Sequence, residues 1–257
     1  MGEALVSGLL RAGWSADDIV AADRRDFRRA EMTAAHGIRA LGNAEAAAEA
    51  DTVVLVVKPQ DVGAVLPEIS PVLRPGTLLV SLCAGVTTKA LESHLPAGTA
   101  VVRVMPNTPA LVSEGMAAVS AGSNASESDV EHAMQLMTAL GKAITVPENY
   151  QDAVTAISGS GPAYLFFVVE AMIDAGVMLG LPRDIATTLV NQTMFGSAKL
   201  LIESGQHPTV LREQVTSPGG TTAAALRQLE DHRVKAAFIT AMEAARDRSR
   251  ALAQPSS

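Results

Sequence analysis

The chain has 257 residues, of which 48% are apolar and 18% charged, with a formal net charge of −7, a balance that suits a soluble globular protein with room for two domains and a sizeable core. Acidity with scattered Arg and Lys excludes the electrostatic footprint of a nucleic-acid partner, and no block of like charges forms a polybasic membrane patch. Cys83 is the single cysteine, so an intrachain disulfide is excluded and a reducing, cytoplasmic setting is the default. No apolar run approaches the roughly 20 residues a bilayer span needs, and with Glu3 as the first charged residue the start does not read as a signal peptide. The histidines His36, His94, His132, His207 and His232 are dispersed without ligand spacing, so no metal site is expected.

In chain order, Gly2 leads straight into the helical pattern "EALVSGLLRAG". From Ile19 to Val146 short β-branched runs then alternate with helical patterns, as in a mostly parallel α/β sheet. The runs are "IVAA", "TVVLVV", "TLLVSL" and "TAVVRV", followed by weaker ones at Met116–Ser120 and Ala143–Val146. Their continuous apolar character implies burial on both faces. After Val146 the strand pattern stops, and Tyr150 to Ala253 reads as helices punctuated by "SGSGP", "GLP", "HP" and "SPGG". A domain boundary is therefore expected near Pro147, with "QPSS" as a frayed tail. The second domain is rich in Ala, Gly, Met and Leu, more apolar surface than one chain can cover, so it is expected to oligomerise; a compact monomeric bundle is the alternative.

A parallel sheet binds ligands at the carboxyl ends of its strands. After "IVAA" stand Asp23, Arg24 and Arg25, where an acid takes a ribose 2'-hydroxyl and an arginine a 2'-phosphate. Two adjacent guanidinium groups favour the phosphorylated cofactor, against an exposed charge cluster at a helix start. After "TVVLVV" comes Lys58-Pro59, a cation followed by a residue suited to open a helix. After "TLLVSL" comes Cys83-Ala84-Gly85, small enough for close backbone approach to a ring or diphosphate, and after "TAVVRV" comes Asn107 within "MPNTP". Each is also readable as an ordinary loop. A dinucleotide fold normally begins with a buried strand and G-x-G-x-x-G, of which Gly2 can only be the last glycine. We therefore expect the start to be internal to the true reading frame, with a truncated protein as the alternative, and a gap between the strands at Ile19 and Thr52.

The stretch "VTSPGGTTAAALRQLE", Val215 to Glu230, builds an anion-binding helix start from small polar residues. Backbone N–H groups of Gly219, Gly220 and Thr221 can hold a carboxylate, with the Thr222 hydroxyl beside it. The alternative is an ordinary N-cap after a glycine turn.

Together these segments resemble the pyrroline-5-carboxylate reductase family over essentially the whole chain: "MGEAL" at Met1, "VVKPQ" at Val56, "CAGVT" at Cys83, "MPNTP" at Met105, "DAVTAISGSGPAYLFF" at Asp152, "GLPR" at Gly180 and the stretch from Val215. The resemblance implies a Rossmann domain over residues 1–147 that binds NADPH, with NADH as the alternative, and an all-α domain over 148–257 that interleaves in a homodimer, often with five dimers in a ring. It implies cofactor contacts at Asn43, Val57, Lys58 and Ala84, and places Glu148, Thr221 and Thr222 near the substrate, Thr222 on the family's conserved threonine. The implied reaction converts 1-pyrroline-5-carboxylate to L-proline. Thr222 would hydrogen-bond the imine nitrogen or relay its proton, with water as the alternative donor. Glu148 would favour a cationic iminium, or else is an exposed loop acid. Two departures stand out: the first strand and first glycines are absent, and Gly205 occupies a position where some relatives carry an acid. Rival readings are a related cyclic imine or ketimine reductase and a catalytically silent oligomeric binding protein.

Overall fold

The structure, a computed structural model, describes residues 1–252; the "QPSS" tail lies outside them. The chain divides into two compact units, one of Met1–Ser160 with the chain from Ala244 onward, the other Gly161–Glu243.

The first unit carries seven strands, β1 (Val20–Ala22), β2 (Arg39–Leu41), β3 (Thr52–Leu55), β4 (Leu78–Ser81), β5 (Ala100–Met105), β6 (Gly115–Ala121) and β7 (Gly141–Thr145). Six fall on the β-branched runs; the unanticipated β2 is three residues long and starts on an arginine, too short and polar to show periodicity. β3 to β7 form one sheet in sequence order, parallel except where β5 meets β6, while β1 and β2 pair separately in parallel. β1 and β3 are not hydrogen-bonded to each other, and both are only partly buried where β4 is buried throughout.

Alternation along β4, β5 and β6 sends Val80, Val102 and Val119 to one face, against Leu5, Val6 and Leu9 of α1 (Gly2–Arg11) and Leu136 and Met137 of α6 (Glu127–Thr138). The opposite face carries Leu79 and Val101, covered by α3 (Asn43–Glu49), α4 (Val62–Ile69) and α5 (Thr88–Glu92) through Ala47, Leu66 and Leu91. Further along that second face the side chains turn polar. Ser81, Arg103 and Ser120 are neighbours in register across β4, β5 and β6, and all three are buried.

Residues Glu148 to Ser160 pack on this sheet, which is why the compact unit extends past the change from strands to helices at Pro147. Gln151, fully buried at the start of α7 (Gln151–Val154), donates its Nε2 to Ala118 O at 3.2 Å and Ser120 Oγ at 2.8 Å. Ser249 Oγ, on the final helix α12 (Val234–Leu252), donates to Asp152 Oδ1 at 2.7 Å. Thr155–Gly159 form a π turn, a helical irregularity often found at functional sites, before α8 (Gly161–Met178) begins.

The second unit comprises α8, α9 (Arg183–Ser204), α10 (Pro208–Gln214), α11 (Thr221–Asp231) and the first part of α12. Its helices leave large apolar side chains in the open, among them Phe166 at 67% and Phe167 at 71% exposure. Contrary to the reading of the sequence, the helical run Glu148–Met178 is long and apolar enough to cross a membrane by length and composition. The reason is that Gly, Pro and Ser inside the run mask its continuity as a string of letters, yet the backbone stays helical through them. An exposed apolar face of this size is also what a subunit interface requires.

Candidate active site

Three loops meet the carboxyl edge of the sheets in the first unit. Beyond β1, Arg25 grips Asp23 with a fork, Nε to Oδ1 at 3.0 Å and Nη2 to Oδ2 at 3.0 Å, and lies over the Phe27 ring. The fork holds the Asp23 carboxyl below its ordinary range and occupies both its oxygens. Arg24 is exposed and has no such partner among the described residues. The two arginines read as equivalent in the sequence thus differ: Arg25 is engaged by Asp23, and Arg24 is not.

Beyond β3, Val57 O accepts from Cys83 Sγ at 3.3 Å, Lys58 is exposed without an ion pair among the described residues, and Pro59 opens a short 3-10 turn. Gly2, the first residue of α1, sits beside this strand end, a Cβ there falling 3.8 Å from Val56 Cβ, and no side chain caps α1. Beyond β4, Cys83 is buried, and burial pushes its thiol up, so that it serves as a protonated donor tying Ala84 and Gly85 to the β3 loop. Gly85 has φ +75°, a left-handed backbone that a side chain would strain. Two cations without an ion pair among the described residues, an uncapped helix start and a small-residue loop on one edge fit an anionic dinucleotide.

Two expected cofactor positions carry structural duties. Asn43 Nδ2 donates to Glu68 Oε2 at 2.9 Å. Asn107 accepts from Met116 N at 2.8 Å and donates Nδ2 to Ser158 O at 3.2 Å, knitting the "MPNTP" loop to β6 and to the π turn.

Glu148 is not a loose surface acid: Thr88 donates its N–H to Oε1 and its hydroxyl to Oε2, each at 2.7 Å, and Arg103 donates Nη1 to Oε1 at 3.2 Å. Arg103 is 4% exposed, so its charge is neutralised by Glu148 inside the fold. The residue missed by sequence reasoning is Arg103, and its signal was there: a guanidinium inside the apolar run "VVRV" calls for an acid as partner.

In the second unit, Ser217 to Gly220 form a tight turn closed by Gly220 N to Ser217 O at 3.0 Å. Pro218 and Gly219 occupy its two central positions, and Gly219 has φ +68°, as a turn of this type demands. Gly220 is the N-cap of α11 and no side chain caps the helix. Thr222 is therefore not a cap: it lies inside the first turn, half-buried, with no hydrogen-bond partner for its hydroxyl among the described residues. In α9, the helix stops at Gly205 with φ +60°, a glycine terminus rather than an acidic site.

The C-terminal part of the chain, residues 148–252, matches the family described as pyrroline-5-carboxylate reductase dimerisation, and residues 1–85 match NADP oxidoreductase, coenzyme F420-dependent. A pyrroline-5-carboxylate reductase of Corynebacterium melassecola is 44% identical over 256 residues, covering 98% of this chain and 95% of that protein. The chain belongs to the pyrroline-5-carboxylate reductase family. The solved structure of a family member from Coxiella burnetii superposes with a TM-score of 0.93 at 35% identity, covering 98% of this chain and 95% of the other. The family member from Plasmodium falciparum, solved with NADP bound, superposes with a TM-score of 0.89 at 34% identity, covering 99% and 95%.

Proposed function

We propose that this protein reduces 1-pyrroline-5-carboxylate to L-proline with NADPH, the last step of proline synthesis, as an oligomer built on its helical unit. Membership in the reductase family supports the activity. The observation that carries the site is the start of α11, an uncapped helix N-terminus next to a partnerless hydroxyl.

The substrate is a five-membered cyclic imine with a carboxylate, and the product requires a hydride at the imine carbon and a proton at nitrogen. Bound NADPH supplies the hydride that reaches the imine carbon. Arg24 would hold the 2'-phosphate of the adenosine ribose, and Lys58 with the start of α1 at Gly2 would hold the diphosphate. The backbone at Val57, Pro59, Ala84 and Gly85 would line the cofactor, with Asn43 and Asn107 holding the loops around it. At the start of α11, the N–H groups of Gly219 and Thr221 take the substrate carboxylate, to which the partial positive charge of the helix start is complementary, while the Gly220 N–H expected to join them is used to close the turn on Ser217 O. The Thr222 hydroxyl hydrogen-bonds the ring nitrogen, orienting it and relaying the proton that converts imine to amine. A hydroxyl is a weak acid, so a water bridged by Thr222 completes the same relay.

Residues 1–147 are proposed as the cofactor domain and 148–257 as the substrate and dimerisation domain, working in the cytoplasm as homodimers or rings of them. The test is a cofactor-oxidation assay on the purified chain, comparing 1-pyrroline-5-carboxylate with a six-membered cyclic imine carboxylate. Preference for the five-membered ring is expected; equal or reversed preference points to a wider imine reductase, and no oxidation of NADPH with either refutes the reading.

A further inference from the structure

The second face of the main sheet ends in a buried polar row, Ser81, Arg103 and Ser120, roofed by one helical turn that begins at Glu148 and ends at Gln151. Buried polar side chains at this density are costly and persist where they specify an arrangement. Both buried side-chain atoms without a hydrogen-bond partner among the described residues, Arg103 Nη2 and Gln151 Oε1, belong to this one cluster.

What the cluster specifies can be read from its neighbours. Thr88, bound through both its N–H and its hydroxyl to Glu148, is the first residue of α5, and the segment before it carries Cys83, Ala84 and Gly85. That segment is pinned at its other end, where Cys83 Sγ donates to Val57 O. The loop between β4 and α5 is therefore held at two points: by Cys83 to the β3 loop and by Thr88 to Glu148. With the Cys83 end fixed by burial, the Glu148 end decides where Ala84 and the left-handed Gly85 stand relative to the sheet edge.

We propose that Glu148 is a positioning residue for the cofactor: acting through Thr88, and itself held by Arg103, it sets the β4–α5 loop at the height at which its backbone meets NADPH. The inference rests on the reading of this edge as the NADPH site. It separates Glu148 from the substrate, and it couples the cofactor loop to the turn that leads into α7 and the π turn.

Titrating the full chain with NADPH, following fluorescence of the reduced nicotinamide, tests this without any imine. Thr88→Val removes one donor and leaves both charges paired; it is expected to weaken NADPH about tenfold, the scale of one charge-assisted hydrogen bond. Thr88→Ser keeps the donor and should return affinity to within about twofold of the parent. Glu148→Gln should weaken NADPH at least as much as Thr88→Val, with KM for the imine at saturating NADPH little changed. Unchanged NADPH affinity in folded Thr88→Val, or a raised imine KM with unaltered NADPH affinity in Glu148→Gln, overturns the proposal. If Glu148→Gln does not fold, the valine and serine pair decides alone, since a merely structural loss would lower Tm without separating those two in affinity. A chain that binds NADPH in this clamp-dependent way yet reduces no imine refutes the proposed activity and leaves this inference standing; a chain that binds no NADPH refutes both.

Discussion

Arg25 closes two hydrogen bonds on the Asp23 carboxylate, each 3.0 Å long, and thereby leaves Arg24 as the open guanidinium beyond β1. Replacing both arginines should weaken NADPH more than NADH, because only NADPH carries the 2'-phosphate. The fork divides that effect unequally. Arg24→Ala should weaken NADPH about tenfold or more and leave NADH unaffected, whereas Arg25→Ala acts indirectly by leaving the Asp23 charge unneutralised near the phosphate. Dissociation constants for both cofactors on the two single variants and the double variant check this; equal losses for NADPH and NADH would show general damage to the loop.

Thr222→Ala should lower turnover by about 30-fold to 1,000-fold, the loss of roughly 2 to 4 kcal/mol of interaction with a reacting nitrogen. NADPH affinity and Tm should hardly move, since Gly220 rather than Thr222 is the N-cap of α11. Turnover and melting temperature measured on one purified variant decide the matter. A stable variant with unaltered turnover and substrate affinity removes Thr222 from the chemistry.

Gly220→Ala places a Cβ 2.7 Å from Ser217 Oγ and 3.2 Å from Ser217 O, the acceptor that closes the turn. Gly219→Ala forces a left-handed residue at a cost of about 1 to 2 kcal/mol. Either change should displace the N–H groups at the start of α11 and raise KM for the imine about tenfold with NADPH affinity intact. The comparison of steady-state KM with the NADPH dissociation constant is the measurement; a fall in NADPH affinity alone would place the turn at the cofactor instead.

Phe166 and Phe167 are exposed on α8. A homodimer through the helical unit should bury apolar side chains of this kind, so Phe167→Asp is expected to shift sedimentation toward monomer at micromolar protein and to reduce activity in parallel. A fully active monomer of the unsubstituted chain would count against shared assembly.

β1 and β3 each end their sheets without hydrogen bonds to one another. Fusing roughly a dozen residues ahead of Met1, enough for a strand of about 5 to 6 and a glycine loop, should pair both edges, raise Tm and tighten NADPH. Equal stability and cofactor affinity with and without the added segment would show that the two sheets need no bridging strand.

The sequence by itself determined the class of fold and most of its strands, because β-branched runs such as "TVVLVV" and "TLLVSL" are apolar enough to mark strands, although the burial on both faces that they imply holds for β4 and not for β3, where Leu55 alone is buried. It determined the turn at Ser217 to Gly220 as well, since proline and glycine restrict their own backbone locally. Pairings were beyond it. That Arg25 rather than Arg24 takes Asp23 depends on which side chain the bend beyond β1 turns toward that carboxylate. The fate of Glu148 depended on contacts 45 and 60 residues away along the chain, to Arg103 and Thr88, which exist only once β5 and α5 are stacked beside the turn at Pro147. Local propensity acts over a few residues, whereas a carboxylate's partner is settled by which donors the packed sheet leaves within about 3 Å.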